Sequence, residues 1–175
     1  MKTKFILIVG VGTAYRNDDA AGLIVAERLK ARLPEGVAVI THEGEGVSLM
    51  EQLADSEVAV VIDAMYSGAE PGTIRRFDAI AQPLPAQLFR YSTHAVGIAQ
   101  AIELGRALGK LPHRLIVYGI EGQDFEAGAQ LSPEVESSIE TVLSRVLEET
   151  AGLRCPSGGR PHDRTRQRRG PHRSL

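Results

Sequence analysis

The sequence predicts an α/β fold: a three-layer sandwich around a mostly parallel twisted sheet of about five strands, with helices on both faces. Three observations predict it. Short apolar runs of strand length alternate along the chain with segments of helical period. Two of those runs, residues 5–9 and 58–62, are apolar without alternation, as strands covered on both faces are. Strands separated by helices need crossover connections, which pair strands in parallel and turn with one hand.

The elements follow in order. Phe5 to Val9 forms the first strand, broken by Gly10 and Gly12. Lys2 and Lys4 before that run imitate a short signal peptide, but Arg16, Asp18 and Asp19 follow without a small-residue cleavage site, so a buried strand is the reading adopted. Residues 19–33 read as a helix carrying Leu23, Ile24, Leu29 and Leu33 on or near one face, ended by Pro34-Glu35-Gly36. Val37 to Thr41 is a second strand, and residues 47–54 are a short helix with Leu49, Met50 and Leu53. The third strand, 58–62, ends at Asp63. After a turn at Pro71-Gly72, residues 73–77 alternate as an edge strand does. Residues 78–91, with Pro83 and Pro85, read as irregular. Ser92 or Thr93 is expected to cap a helix reaching about Leu108, and Leu115 to Ile120 is the last strand. Ser132-Pro133 opens a final helix whose apolar stripe is Val135, Ile139, Val142, Leu143, Val146 and Leu147.

The 175 residues suffice for one domain, expected over 1–151, with a basic tail over 152–175. Residues 1–150 carry 13 Lys/Arg against 21 Asp/Glu, a balance unsuited to holding polyanions. Residues 151–175 carry seven Arg against one Asp and almost nothing apolar after Leu153, so the tail is expected to be disordered. Nucleic-acid binding is therefore unexpected for the body and open only for the tail. The one cysteine, Cys155, forms no disulfide within the chain, in keeping with a reducing, cytoplasmic compartment. No stretch has the ~20 consecutive apolar residues of a membrane span.

In a sheet of this kind ligands bind outside the carboxyl ends of the strands. Gly10-Val11-Gly12 after the first strand imitates a dinucleotide fingerprint, but Tyr15 stands where the third glycine belongs, and Asp18 and Asp19 would repel a phosphate. Glu43 or Glu45 could still mimic a ribose ligand, so a nucleotide-binding α/β protein stays as an alternative. Asp18 and Asp19 suit the first turn of a helix, one as a cap and the other facing the crevice. Asp63 is either a turn aspartate bonded to nearby backbone N–H groups or a functional carboxylate, since a carboxylate at the end of an apolar strand is costly without a partner. His94 lies at a predicted helix start. His42 also lies at a strand end, whereas His113 precedes a strand on the far side. Asp19, Asp63 and His94 fall at one edge of the sheet, where two carboxylates and an imidazole can hold a divalent ion with positions left open.

Five blocks then match a known pattern in order and spacing. They are Gly10-Val11-Gly12 with Asp18-Asp19-Ala20-Ala21-Gly22; Val61-Ile62-Asp63-Ala64 with Pro71-Gly72-Thr73-Ile74; Ser92-Thr93-His94 with Gly97; Val117-Tyr118-Gly119-Ile120-Glu121; and Leu131-Ser132-Pro133-Glu134-Val135. Over most of residues 4–147 the chain resembles the maturation endopeptidases of nickel-iron hydrogenases. The resemblance implies a protease that removes a short C-terminal extension from a hydrogenase large-subunit precursor after nickel insertion. It implies Asp19, Asp63 and His94 as the catalytic and metal-binding residues, and nickel supplied by the precursor rather than bound in the resting protein. Whether a water or a carboxylate acts first is left open. Thr13 departs from the family's frequent asparagine, and Asp19 stands where some members have glutamate. A non-catalytic hydrogenase assembly chaperone on the same fold is the other alternative.

Overall fold

The computed structural model describes residues 6–89 and 97–154. A five-stranded sheet runs in the order β2 (Val37–His42), β1 (Ile6–Val11), β3 (Val58–Met65), β5 (Arg114–Glu121), β4 (Ile74–Asp78). The first four are parallel, and β4 closes the edge antiparallel to β5. Around them lie α1 (Ala21–Lys30), α2 (Gly46–Ala54), α3 (Ile98–Ala107) and α4 (Pro133–Arg154). No helix among the described residues is long and apolar enough to cross a membrane.

Alternation along each strand divides the interior in two. Leu7, Val9, Ala59, Val61, Leu115 and Val117 face one layer, packed with Leu49, Leu53, Ile98 and Ile102 of α2 and α3. Ile8, Val60, Ile62, Ile116 and Ile120 face the other, with Val25 and Leu29 of α1 and Val135, Ile139, Val142 and Val146 of α4. Each fully buried large aliphatic side chain contributes about 1.5–3 kcal/mol, which is why the central strands read as unbroken apolar runs. The expected sandwich with helices on both faces is therefore the one found.

Several boundaries moved. The helix expected from residue 19 begins as a single 3-10 turn, Asn17–Ala20, and becomes α-helical only at Ala21. It ends at Lys30, before Leu33, with the Pro34-Glu35-Gly36 breaker further on. β3 does not stop at Asp63 but continues to Met65, because β5 pairs with it as far as Met65 opposite Glu121. α3 starts at Ile98 with Gly97 at its N-cap, so neither Ser92 nor Thr93 caps it. Residues 90–96, His94 among them, lie outside the described residues, as do residues 155–175 with Cys155 and most of the basic tail. α4 runs to Arg154, three residues into the segment expected to be tail.

The strand order reverses at β1: the chain steps from β1 to β2 on one side, then returns to β3 on the other. A crevice at the carboxyl ends of β1 and β3 is the geometric result. Two glycines let α1 close on it. A Cβ at Gly10 would overlap the carbonyl oxygen of Gly22, and one at Gly22 would overlap the carbonyl oxygens of Val11 and Ile62. Gly10 of β1 and Gly22 of α1 thus serve close helix–strand contact.

Candidate functional site

β1 ends at Val11, and Gly12 turns the chain, its N–H donating to the His42 carbonyl at 3.1 Å. Gly12 has φ +157°, and a Cβ there would overlap the Asp19 carbonyl oxygen. The following loop passes through two left-handed non-glycine residues, Tyr15 (φ 61°) and Asn17 (φ 44°). Such conformations persist where the surroundings over-determine them. Here the connection between β5 and α4 does so. Gly128 N–H donates to Tyr15 O at 2.9 Å, Asn17 N–H to Gly128 O at 3.1 Å, and Asp18 N–H to Asp124 O at 2.9 Å. The Arg16 guanidinium donates from Nε (3.2 Å) and Nη2 (2.9 Å) to the Phe125 carbonyl.

Asp18 and Asp19, adjacent in sequence, end in opposite environments. Asp18 is fully buried and accepts four hydrogen bonds: from the N–H of Gln123 (2.9 Å), Asp124 (2.9 Å) and Ser132 (2.7 Å), and from the Ser132 hydroxyl (2.7 Å). Burial pushes its pKa up, but these donors together outweigh burial and hold it below the ordinary value. Neither aspartate provides a side-chain cap for the 3-10 turn or for α1. The expectation that one of them caps the helix is corrected: Asp18 anchors a loop more than 100 residues away, because that loop presents three converging N–H groups and a hydroxyl.

Asp19 is 5% exposed and has a sparser set of donors. The Thr13 N–H donates to its Oδ2 at 2.9 Å. Burial raises its pKa, and Thr13 with the nearby positive charge of Arg16 offsets this only in part. Asp63, within β3 opposite Gly119 of β5, is 6% exposed. Burial pushes its pKa well above the carboxylate range, the charge of Asp19 pushes it further, and the Ala64 N–H pulls back weakly. Asp19 and Asp63 therefore face one crevice closely enough for the charge of Asp19 to oppose ionisation of Asp63. Such a pair can share a proton, attract a cation, or transfer protons to a bound group.

Of the three sequence-predicted residues, two are thus brought together, and His94 lies outside the described residues. Among the described residues no three His, Cys, Asp or Glu side chains form a metal-sized cluster. His42 ends β2 and ties down the turn that follows: its Nδ1 accepts from Gly44 N–H at 2.9 Å, and its Nε2 lies 3.2 Å from Ser48 Oγ. Glu45 caps α2 through the N–H groups of Val47 and Ser48. His113 sits before β5, at the opposite edge of the sheet.

Sequence reasoning missed two polar residues of this edge. Glu121 is fully buried at the end of β5 and accepts from Ser67 N–H (2.7 Å), Ser67 Oγ (2.8 Å), Gly68 N–H (2.9 Å) and Ala69 N–H (3.2 Å), fixing the loop after β3. The signal that singled out Asp63, a carboxylate closing an apolar strand, was equally present at Glu121. Arg16 is the other, and its signal was a lone cation beside two aspartates.

Comparison with known proteins places this geometry in context. A sequence model described as hydrogenase maturation protease matches residues 23–149, a span that contains Asp63 and begins four residues after Asp19. The hydrogenase 2 maturation protease of Escherichia coli K12 is 31% identical over 147 residues, covering 81% of this chain and 88% of that protein. Among solved structures, the hydrogenase maturating endopeptidase HybD from Escherichia coli superposes with a TM-score of 0.72 at 26% identity, over 85% of this chain and 93% of its own. The [NiFe] hydrogenase maturation protease HybD of Thermococcus kodakarensis gives 0.64 at 25% identity, over 84% and 99%.

Proposed function

The chain belongs to the hydrogenase maturation protease family and is a peptide-bond hydrolase, and from that premise we propose that it removes a short C-terminal extension from the nickel-loaded large-subunit precursor of a nickel-iron hydrogenase. The observation that carries this reading is the pair Asp19 and Asp63: two buried carboxylates in the switch-point crevice, each with few donors, the charge of Asp19 adding to burial in raising the pKa of Asp63. A cation delivered by the substrate relieves that repulsion. A precursor whose nickel has open positions gains ligands from Asp19, Asp63 and His94, and its scissile peptide is held at the crevice. A precursor without nickel lacks those bonds, so the same contacts discriminate loaded from unloaded substrate.

Within this reading the residues of the chain have separate tasks. Thr13 N–H holds Oδ2 of Asp19, leaving the other oxygen for the substrate. Asp63, whose pKa burial and Asp19 raise well above the ordinary carboxylate value, gives up a proton more readily as the cation enters. Nickel in the precursor can polarise the carbonyl or lower the pKa of a water. The reaction belongs in the cytoplasm, where Cys155 stays reduced. The nucleotide-binding alternative finds no support here, because Gly10 and Gly22 are used for contact between α1 and the sheet.

The test is a mass spectrum of large-subunit precursor incubated with this protein, with and without nickel loading. The proposal expects loss of a C-terminal peptide from the loaded form alone. Cleavage of both forms contradicts the nickel checkpoint, and cleavage of neither contradicts the processing role.

A further inference from the structure

A groove of about 390 Å³ lies outside the crevice, between the outer face of α1 and the connection from β5 to α4. Ala20, Leu23, Ile24, Ala129 and Leu131 line it, with Tyr15 at its mouth. Its size is that of a pocket for a small ligand or one or two side chains, usually about 300–1,000 Å³. We propose that this groove is the docking subsite for an uncharged, apolar stretch of the polypeptide substrate, next to the bond that is cut. The inference rests on the reading of the crevice as the cleavage site.

Three observations select that occupant. The first is continuity: the groove wall includes Ala14, Tyr15, Asn17 and Ala20, the same loop and turn that carry Asp19. The second is charge. The two charged residues on the rim are already matched within the protein, Glu27 with Lys30 at 2.6 Å and Arg28 with Glu136 at 2.8 Å. The rim thus offers no uncompensated charge to an ionic ligand. The third is Tyr15 itself, 77% exposed although large and held left-handed at φ 61°. An exposed aromatic side chain on a conformationally fixed backbone loses little entropy on contact, which is what makes tyrosine frequent at binding surfaces. The cross-loop hydrogen bond from Gly128 N–H to Tyr15 O keeps the two walls in register.

Two substitutions test the groove without reaching the core. Ala129 is exposed, so Ala129→Trp fills the groove from the solvent side. Ile24→Glu places a charge on its floor. Affinity of the nickel-loaded precursor for each folded variant is read by interferometry, and KM and kcat by precursor cleavage. The proposal expects roughly tenfold weaker binding and a matching rise in KM, with kcat nearly unchanged, since a docking contact acts equally on ground and transition states. Wild-type affinity in both variants overturns it. So does a fall in kcat alone, or the splitting of a dimer of this chain with precursor affinity unchanged. Weakened binding by the variants, when the wild type binds but does not cleave, would uphold the groove and reject the processing role instead.

Discussion

Asp18 and Asp19 share a sequence environment and almost the same burial, yet their acidities move in opposite directions. The difference is the number of donors each meets. Asp18 receives four hydrogen bonds from the β5–α4 connection, whereas Asp19 relies on Thr13 and the charge of Arg16. The same contrast separates Glu121, saturated by the loop after β3, from Asp63, which faces another carboxylate. Burial by itself therefore does not mark a functional carboxylate. A carboxylate surrounded by donors joins two segments, while one left short of donors retains capacity for a ligand.

The sharpest way to break this comparison is through activity. Asp19→Ala or His94→Ala should lower precursor cleavage by roughly 10²–10⁴-fold, with the circular dichroism spectrum unchanged. If either variant processes the loaded precursor at the wild-type rate, that residue has no part in the site.

Stability should respond in the opposite pattern. Asp18→Ala leaves three N–H groups and a hydroxyl without their charged acceptor, and should cost about 3–5 kcal/mol in urea unfolding, no more than about half of four charged bonds at about 1.5–3 kcal/mol each because water recovers part. Its pH dependence has a definite sign. The folded pKa lies below 3.8, so its stabilisation is complete above 3.8 and is lost as pH falls through the folded value. Glu121→Gln keeps the shape but gives up the charge, and should cost about 1–3 kcal/mol. An unchanged unfolding midpoint in either variant would remove the structural role assigned to it. Glu149 marks the small end of the scale: held below its ordinary pKa chiefly by Arg76 at 2.7 Å, it sits near the surface, so Glu149→Gln should cost about 1 kcal/mol or less.

The parts of this account that were legible in the sequence are those that depend on local pattern. The apolar runs of β1, β3 and β5 and the edge character of β4 follow from residue type at neighbouring positions. The carboxyl edge of the sheet as the place for the site followed too, because parallel strands all end there, whereas the strand order that joins the ends of β1 and β3 comes from the structure. What was not legible depends on distant partners. Asp18 meets Gln123, Asp124 and Ser132, and no local signal announces three N–H groups converging from more than 100 residues away. The helix start misassigned to Ser92 or Thr93 has another cause: a good capping residue is a permission, and Gly97 takes the position instead. β3 outran its apolar stretch because pairing with β5 carries it past Asp63.

The most direct measurement combines both halves of the comparison in one protein, Asp63→Asn. Cleavage of nickel-loaded precursor and urea unfolding would be followed on the same sample across pH. The folded pKa of Asp63 lies well above 3.8, so its ionisation opposes folding, with no penalty below 3.8 and the full penalty once pH exceeds the folded value. Asp63→Asn should therefore abolish cleavage while raising stability at neutral pH by about 0.5–2 kcal/mol, a gain that vanishes in acid. Cleavage at the wild-type rate, or a loss of stability at neutral pH, would contradict the claim that Asp63 is a carboxylate kept short of donors for the sake of the reaction.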